Sequence, residues 1–425
     1  MKNLTKLLAL LLAGLTAALS LCGCSTVPGA QSSAGGLSFL NSDRPAPDGA
    51  EAPTEEFKLA LADLTCTLLR EMAKESTDSR LVSGLSVATA LGMTAGGAKG
   101  ETLAQMEALL GLPYEEFAAQ LGGFYASLPS TKNASFKKAN AVFHTTSGRY
   151  TVEQSFIDFV NRYYDADVGL LDFGAADAEK KVNEWCDKQT DGMIPVLFED
   201  ESALTDDTVM LLLNALCFDA LWAVPYNEYA TREGTFRGVK GDEQVTMLCG
   251  EEGYYLAGER ETGFVKPYEG GNYAFVALLP NAEGDITDYL ATLTGERLLA
   301  LWAGKSYDTV YTTMPKFTVD DAVTLNDILK SLGMTDAFDP NLADLSGLGH
   351  SEAGNTWIDF VLQKTHLELD ESGTRAAAVT AVAVTDECAP MDPKIVTLDR
   401  PFVYGIVDTA TGLPLFLGCC RSVGA

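Results

Sequence analysis

Three histidines, His144, His350 and His366, are the whole imidazole supply of this 425-residue chain. None belongs to an HExxH, and no G-x-S-x-G elbow, Walker loop or GxGxxG accompanies them. A Ser-His-Asp site can be assembled from distant positions, since triads are recognised by geometry rather than order. With convergent groups so scarce, the expectation is that the chain is not an enzyme. Beyond Cys24 the cysteines are Cys66, Cys186, Cys217, Cys249, Cys388, Cys419 and Cys420. They form no CxxC and no Cys/His set at zinc spacing, so neither a metal nor a cofactor is expected. Most fall within apolar runs, which predicts buried thiols. Cys419 and Cys420 would point to opposite faces of a strand, which disfavours a bridge between them.

The chemistry that the sequence does offer lies in a stretch of backbone. Downstream of Glu371-Ser372-Gly373, the residues Thr374, Ala376, Ala378, Thr380, Val382 and Val384 share one face if the chain is extended. All are small or β-branched and uncharged, so that face can be buried, while Arg375 falls on the opposite face. Gly373 supplies backbone freedom where the chain would bend. Alanine runs favour helix, but the interleaved Val and Thr favour strand. The segment suits a strand that can enter an interior.

The elements around it divide along the chain. Phe57, Leu61, Leu64, Leu68 and Met72 recur at helical spacing. Ser86 to Leu112 reads as helix broken at Gly96-Gly97, and Phe156 to Tyr164 and Ala175 to Gln189 read as further helices. Val209 to Phe218 is a continuous apolar run, the mark of a buried strand. Tyr254 to Val265, Tyr273 to Leu279, Thr309 to Phe317 and Phe402 to Val407 are β-type runs parted by turn residues. Helices first and strands later predict an α+β fold, with one body over residues 55–425.

Hydrophobic residues make up 47% and charged residues 21%, ample for a core, and the formal charge is −29. That acidity argues against nucleic acid and against electrostatic adhesion to anionic lipid. The N-terminus reads as a targeting segment: Lys2 and Lys6, then an uncharged apolar run from Leu7 to Leu21. Leu21-Cys22-Gly23-Cys24 resembles a bacterial lipobox, with small Gly23 before Cys24. The expectation is a signal over residues 1–23, lipid on Cys24, and a flexible Ser/Gly/Ala/Pro-rich linker over 24–54. The protein would then sit outside a bacterial cell, tethered to its membrane.

An ordered series of motifs resembles the serpin family. Leu81-Val82-Ser83-Gly84-Leu85-Ser86, Ala90-Leu91-Gly92-Met93 and Gly97-Ala98-Lys99-Gly100-Glu101-Thr102 open it. Asn140-Ala141-Val142-Phe143, Asn183-Glu184-Trp185, Leu213-Asn214-Ala215, Trp222, Lys266-Pro267-Tyr268 and Met314-Pro315-Lys316-Phe317 follow. Asp399-Arg400-Pro401-Phe402 and Leu415-Phe416-Leu417-Gly418 close it. Any one is weak; the order is specific and spans nearly the whole body.

The resemblance implies helices packed around large mixed and antiparallel sheets, with a hinge and exposed reactive loop in the stretch from Leu369 to Phe402. It implies a suicide inhibitor of serine proteases, in which cleavage and acylation are followed by insertion of the loop as a new strand. Glu371, Gly373, Thr374, Ala376 and Ala378 would be the hinge. Ser83, Ser86, Asn214 and Gln363 would form a hydrogen-bonded shutter, with Trp222 in the breach above it. Two departures stand out: Gly84 replaces the family's usual Pro, at a cost of about 1 kcal/mol relative to Ala, and Gln363 stands where many members have His. Family spacing puts the reactive bond at Glu387–Cys388, with Val384 and Thr385 as alternative bait. Insertion of about a dozen residues would add on the order of ten backbone hydrogen bonds at about 0.5–1.5 kcal/mol each. The partner is a target protease held covalently, and the protein is expected to be a monomer. The competing readings are a non-inhibitory binding protein and a cross-class inhibitor of cysteine proteases.

Overall fold

The apolar run at 209–218 becomes Met210–Leu221, a strand near the middle of the largest sheet. The structure is a computed structural model and describes residues 31–32, 37–40, 51–74, 76–199, 203–284, 286–352, 354–374 and 393–423. Among them, eight strands form the large sheet, in the order Gln31–Ser32, Ser38–Phe39, Asp167–Leu171, Ala134–Thr145, Met210–Leu221, Gly373–Thr374, Leu362–Leu369 and Phe317–Thr324. A six-stranded sheet centres on Tyr273–Pro280 and Phe402–Asp408, both buried throughout. A four-stranded sheet joins Lys394–Thr397, Val310–Pro315, Gly241–Glu252 and Arg232–Gly238.

Side-chain alternation splits the large sheet between two cores. Along Met210–Leu221, Leu216, Phe218 and Ala220 enter the main core with the helices Glu55–Lys74 and Gly84–Ala95. Leu211, Leu213, Ala215 and Cys217 face a smaller core under the helix Ala178–Gln189, where Phe143 meets Trp185 edge-on at 5.5 Å. Both faces are covered, so the strand reads as a near-continuous apolar run, interrupted by Asn214 and Asp219.

The helices at Glu55–Lys74, Gly84–Ala95, Gly100–Leu110, Gln154–Tyr164 and Ala178–Gln189 match the periodic stretches in the sequence. The expected order of helices first is broken by Ala134–Thr145 and Asp167–Leu171, which belong to the large sheet. Part of the segment expected to be a flexible linker is also built into that sheet. Ser38 and Phe39 pair with Leu170 and Gly169, Leu37 is buried, and Phe39 packs on Phe143 at 6.4 Å. Thr54 is also fixed to the body: its amide and hydroxyl both donate to Gln120 Oε1, and its Oγ1 accepts from Phe57 N.

Candidate functional site

The site is a slot between Met210–Leu221 and Leu362–Leu369, partly filled at one end. Gly373–Thr374 lies between these two strands as a short antiparallel strand: Gly373 pairs with Leu221, and Thr374 with Ala220 on one side and Leu369 on the other. A Cβ on Gly373 would meet Ala220 O at 2.1 Å, so the close approach requires glycine. Beyond Thr374 the strands enclose a gap of about 20 Å³ lined by Leu216, Phe218 and Leu367. Further along the slot is a cavity of about 600 Å³, lined among others by Ser86, Leu91, Leu212, Asn214, Val361 and Gln363.

The filled end is tightly bonded. Trp222 is buried; its backbone N donates to Ser372 O at 2.8 Å and its Nε1 to Asp370 O at 3.0 Å. Tyr226 N donates to Glu371 O at 2.8 Å. The Trp222 ring stacks on Tyr268 at 4.5 Å and 13°, and the Tyr268 hydroxyl bonds Thr374 Oγ1 at 2.5 Å. Burial pushes the Tyr268 phenol far up and its bond to Thr374 only partly offsets this, so it stays a neutral hydroxyl. Thr374 itself is 2% exposed, on the same face as Phe218 and Leu216 in the main core. At the rim, Lys316 Nζ meets Glu371 Oε2 at 2.8 Å. Burial raises the Glu371 carboxyl, but the Lys316 hydrogen bond and charge outweigh it and hold the group below its usual value.

The expected shutter residues come together here, but their bonds run differently from the expectation. Ser83 caps the helix Gly84–Ala95 by accepting from Ser86 N at 3.2 Å, and donates to Leu415 O at 2.8 Å. Asn214 Nδ2 donates to Asn140 Oδ1 at 2.5 Å, and Asn140 Nδ2 to Tyr164 O at 2.6 Å. Gln363 Nε2 reaches only Leu81 O, at 3.4 Å. Among the described residues, Asn214 Oδ1 and Gln363 Oε1 are buried with no hydrogen-bond partner. Ser86, Asn214 and Gln363 therefore line one cavity, Ser83 caps the helix that carries Ser86, and the four do not form one network. Gly84 does not loosen the helix it begins: a Cβ there would meet Thr65 Oγ1 at 1.9 Å, so Thr65 has taken the space and the capped helix is intact.

The histidines are scattered. His144 is buried on Ala134–Thr145, His350 lies on Gly349–Ser351, and His366 Nδ1 pairs with Asp320 at 2.6 Å. No group of three or more His, Cys, Asp or Glu among the described residues could hold a metal. Ala376, Ala378, Val384, Thr385, Glu387, Cys388 and Cys24 lie outside the described residues. Sequence reasoning quoted Asn140 and Tyr268 as motif members without giving them roles. It missed Tyr226 and a buried Lys266–Glu252 pair; a lysine inside the apolar strand Glu261–Pro267 was the available signal.

The family model for Serpin (serine protease inhibitor) matches residues 59–423. The chain is a serpin. It is 31% identical over 382 residues to a serpin-like protein of Thermococcus kodakarensis, covering 87% of this chain and 86% of that one. It is 30% identical over 353 residues to the leukocyte elastase inhibitor of Homo sapiens, covering 79% and 91% respectively. The crystal structure of a thermophilic serpin, tengpin, in the native state superposes with TM-score 0.84 at 35% identity, covering 91% of this chain and 99% of that one. Against the same serpin in the latent state the TM-score is 0.78, covering 88% and 100%. The family's fold thus belongs to this chain, and relatives such as the leukocyte elastase inhibitor are named as protease inhibitors.

Proposed function

We propose that this serpin is a suicide inhibitor of a serine protease, which it traps by inserting residues 375–385 into the slot. The observation that carries this is the seated start of the strand, Gly373–Thr374, with open space beyond it. Strand register is fixed once begun. Continued from Thr374, it would set Ala376 between Phe218 and Leu367, and Ala378 between Leu216 and Thr365. Thr380 would then fall between Asn214 and Gln363, and Val382 between Leu212 and Val361. All four would face the main core, as Thr374 does. The Thr380 hydroxyl, a donor, would arrive beside the two acceptors that lack one.

The protease would be acylated at Glu387–Cys388, or after Val384 or Thr385, before the loop moves. Small residues on the inserting face support inhibition over a carrier role, since bulky or charged groups there would block entry. A serine protease is the target favoured by the inhibitors among the relatives. The protein would act as a monomer outside the cell, held by lipid on Cys24 through the chain ahead of Gln31–Ser32.

The test is incubation with a panel of proteases, including Glu-specific and elastase-like enzymes, followed by a denaturing gel. A complex resistant to denaturant is expected. Clean cleavage by every enzyme with no complex would overturn the proposal. Labelled palmitate should be incorporated in a bacterial host and lost in Cys24→Ser; equal labelling of both would remove the anchor.

A further inference from the structure

We infer that the buried Lys266–Glu252 ion pair is a positioning element for loop insertion, fixing the segment 222–226 against which the hinge begins its strand. The inference rests on the insertion mechanism proposed above. Lys266 lies on Glu261–Pro267 of the six-stranded sheet, and Glu252 ends the strand Gly241–Glu252 of the four-stranded sheet. They are 3% and 7% exposed. Lys266 Nζ donates to Glu252 Oε1 at 2.7 Å and to Val224 O at 3.0 Å. It also lies 4.0 Å from the centroid of the Tyr226 ring and 5.4 Å from that of Trp222. An ammonium has three N–H donors. Two are used by these oxygens, and the π face of Tyr226 is in range of the third.

One lysine therefore touches Trp222, Val224 and Tyr226. Trp222 and Tyr226 supply the three hydrogen bonds to the carbonyls of Asp370, Glu371 and Ser372. Trp222 further stacks on Tyr268, whose hydroxyl bonds Thr374. Only one layer of side chains separates the ion pair from the first residues of the entering strand. A pair of apolar side chains could fill the same space at similar stability. What such a replacement would lack is the bond to Val224 O and the cation over Tyr226, both of which hold the segment in place.

The test compares the full-length protein with Lys266→Met/Glu252→Met, which leaves no lone buried charge; Lys266→Met alone leaves Glu252 unpaired. Each protein is nicked in its loop by an elastase-type protease. Aliquots are then heated over time to follow the gain in heat resistance that accompanies insertion, at equal distances below each uncleaved melting midpoint. The double variant should fold with a midpoint near that of the original, yet acquire heat resistance about five-fold more slowly or worse. Insertion at the original rate would overturn the inference. A double variant that fails to fold would also overturn it, making the pair a stability element. If the unaltered protein gains no heat resistance on nicking, the insertion mechanism itself falls, a result distinct from either.

Discussion

The two ends of the slot are built on opposite terms. At the hinge end, Thr374 is seated, its hydroxyl paired with Tyr268, and the carbonyls of residues 370–372 each accept a bond from Trp222 or Tyr226. At the shutter end, a cavity of about 600 Å³ stands beside two buried acceptors without donors. A buried acceptor left unmade costs about 1–3 kcal/mol, more than a made bond gains. In the proposed insertion, order at one end would nucleate a strand, and dissatisfaction at the other would reward its completion. The difference teaches that the driving force and the starting point can be placed in separate residues.

The comparison breaks most severely if the seated end is charged. Thr374→Arg would set a cation on a face that is 2% exposed, without a partner, and burying an unpaired charge is among the costliest changes. We expect cleavage without trapping, with the ratio of cleaved product to complex on a denaturing gel rising about ten-fold or more. A ratio unchanged from the original would contradict the assigned face. Gly373→Val comes next: its Cβ would press on Ala220 O, forcing the hinge away from Met210–Leu221. A strained approach of this kind costs about 1–3 kcal/mol, which slower hydrogen exchange at the Trp222 amide, the donor to Ser372 O, in the original than in the variant would reveal.

At the open end, Gln363→Leu removes one unsatisfied acceptor and loses only the long bond to Leu81 O. The uncleaved protein should gain about 1–2 kcal/mol, seen as a raised melting midpoint, and the further gain on loop cleavage should shrink. A lowered midpoint would mean that Oε1 is satisfied in solution. The smallest effect concerns the Lys316–Glu371 pair at the rim, half exposed and open to salt screening. Glu371 is held below its ordinary value of 4.5, so its contribution is complete above that pH and is lost as the pH falls through the depressed value. The Glu371 hydrogen bond raises Lys316 above 10.5, so that side persists below 10.5 and is lost as the pH climbs through the raised value. Glu371→Gln should therefore loosen the hinge amides in hydrogen exchange at pH 7, by a difference that shrinks as the pH falls through the depressed value.

Local patterns made much of this legible. The run at 209–218 announced a strand buried on both faces, and Thr374, set on the inward face by alternation, is buried. What a sequence read locally could not carry was who meets whom across it. Ser83 was grouped with Gln363, yet its hydroxyl goes to Leu415 O, a carbonyl more than three hundred residues away. Gly84 looked like a local weakness until Thr65, from a different helix, proved to occupy its Cβ space. Trp222 was singled out, but its stacking on Tyr268 depends on a single bridge between two sheets. The Lys266–Glu252 pair joins two sheets and has no signature at fixed spacing.

The arm at Ser38–Phe39 adds a mechanical consequence. With Gln31–Ser32 outside it, it joins the body by pairing with Gly169 and Leu170 near the margin of the sheet that the proposed insertion would open, and a side chain at Gly169 would collide with the rings of Phe143 and Phe39. With the chain anchored as proposed, any tug from the membrane is delivered first to this margin. A tethered molecule would then feel traction on its opening sheet that a freely diffusing one does not.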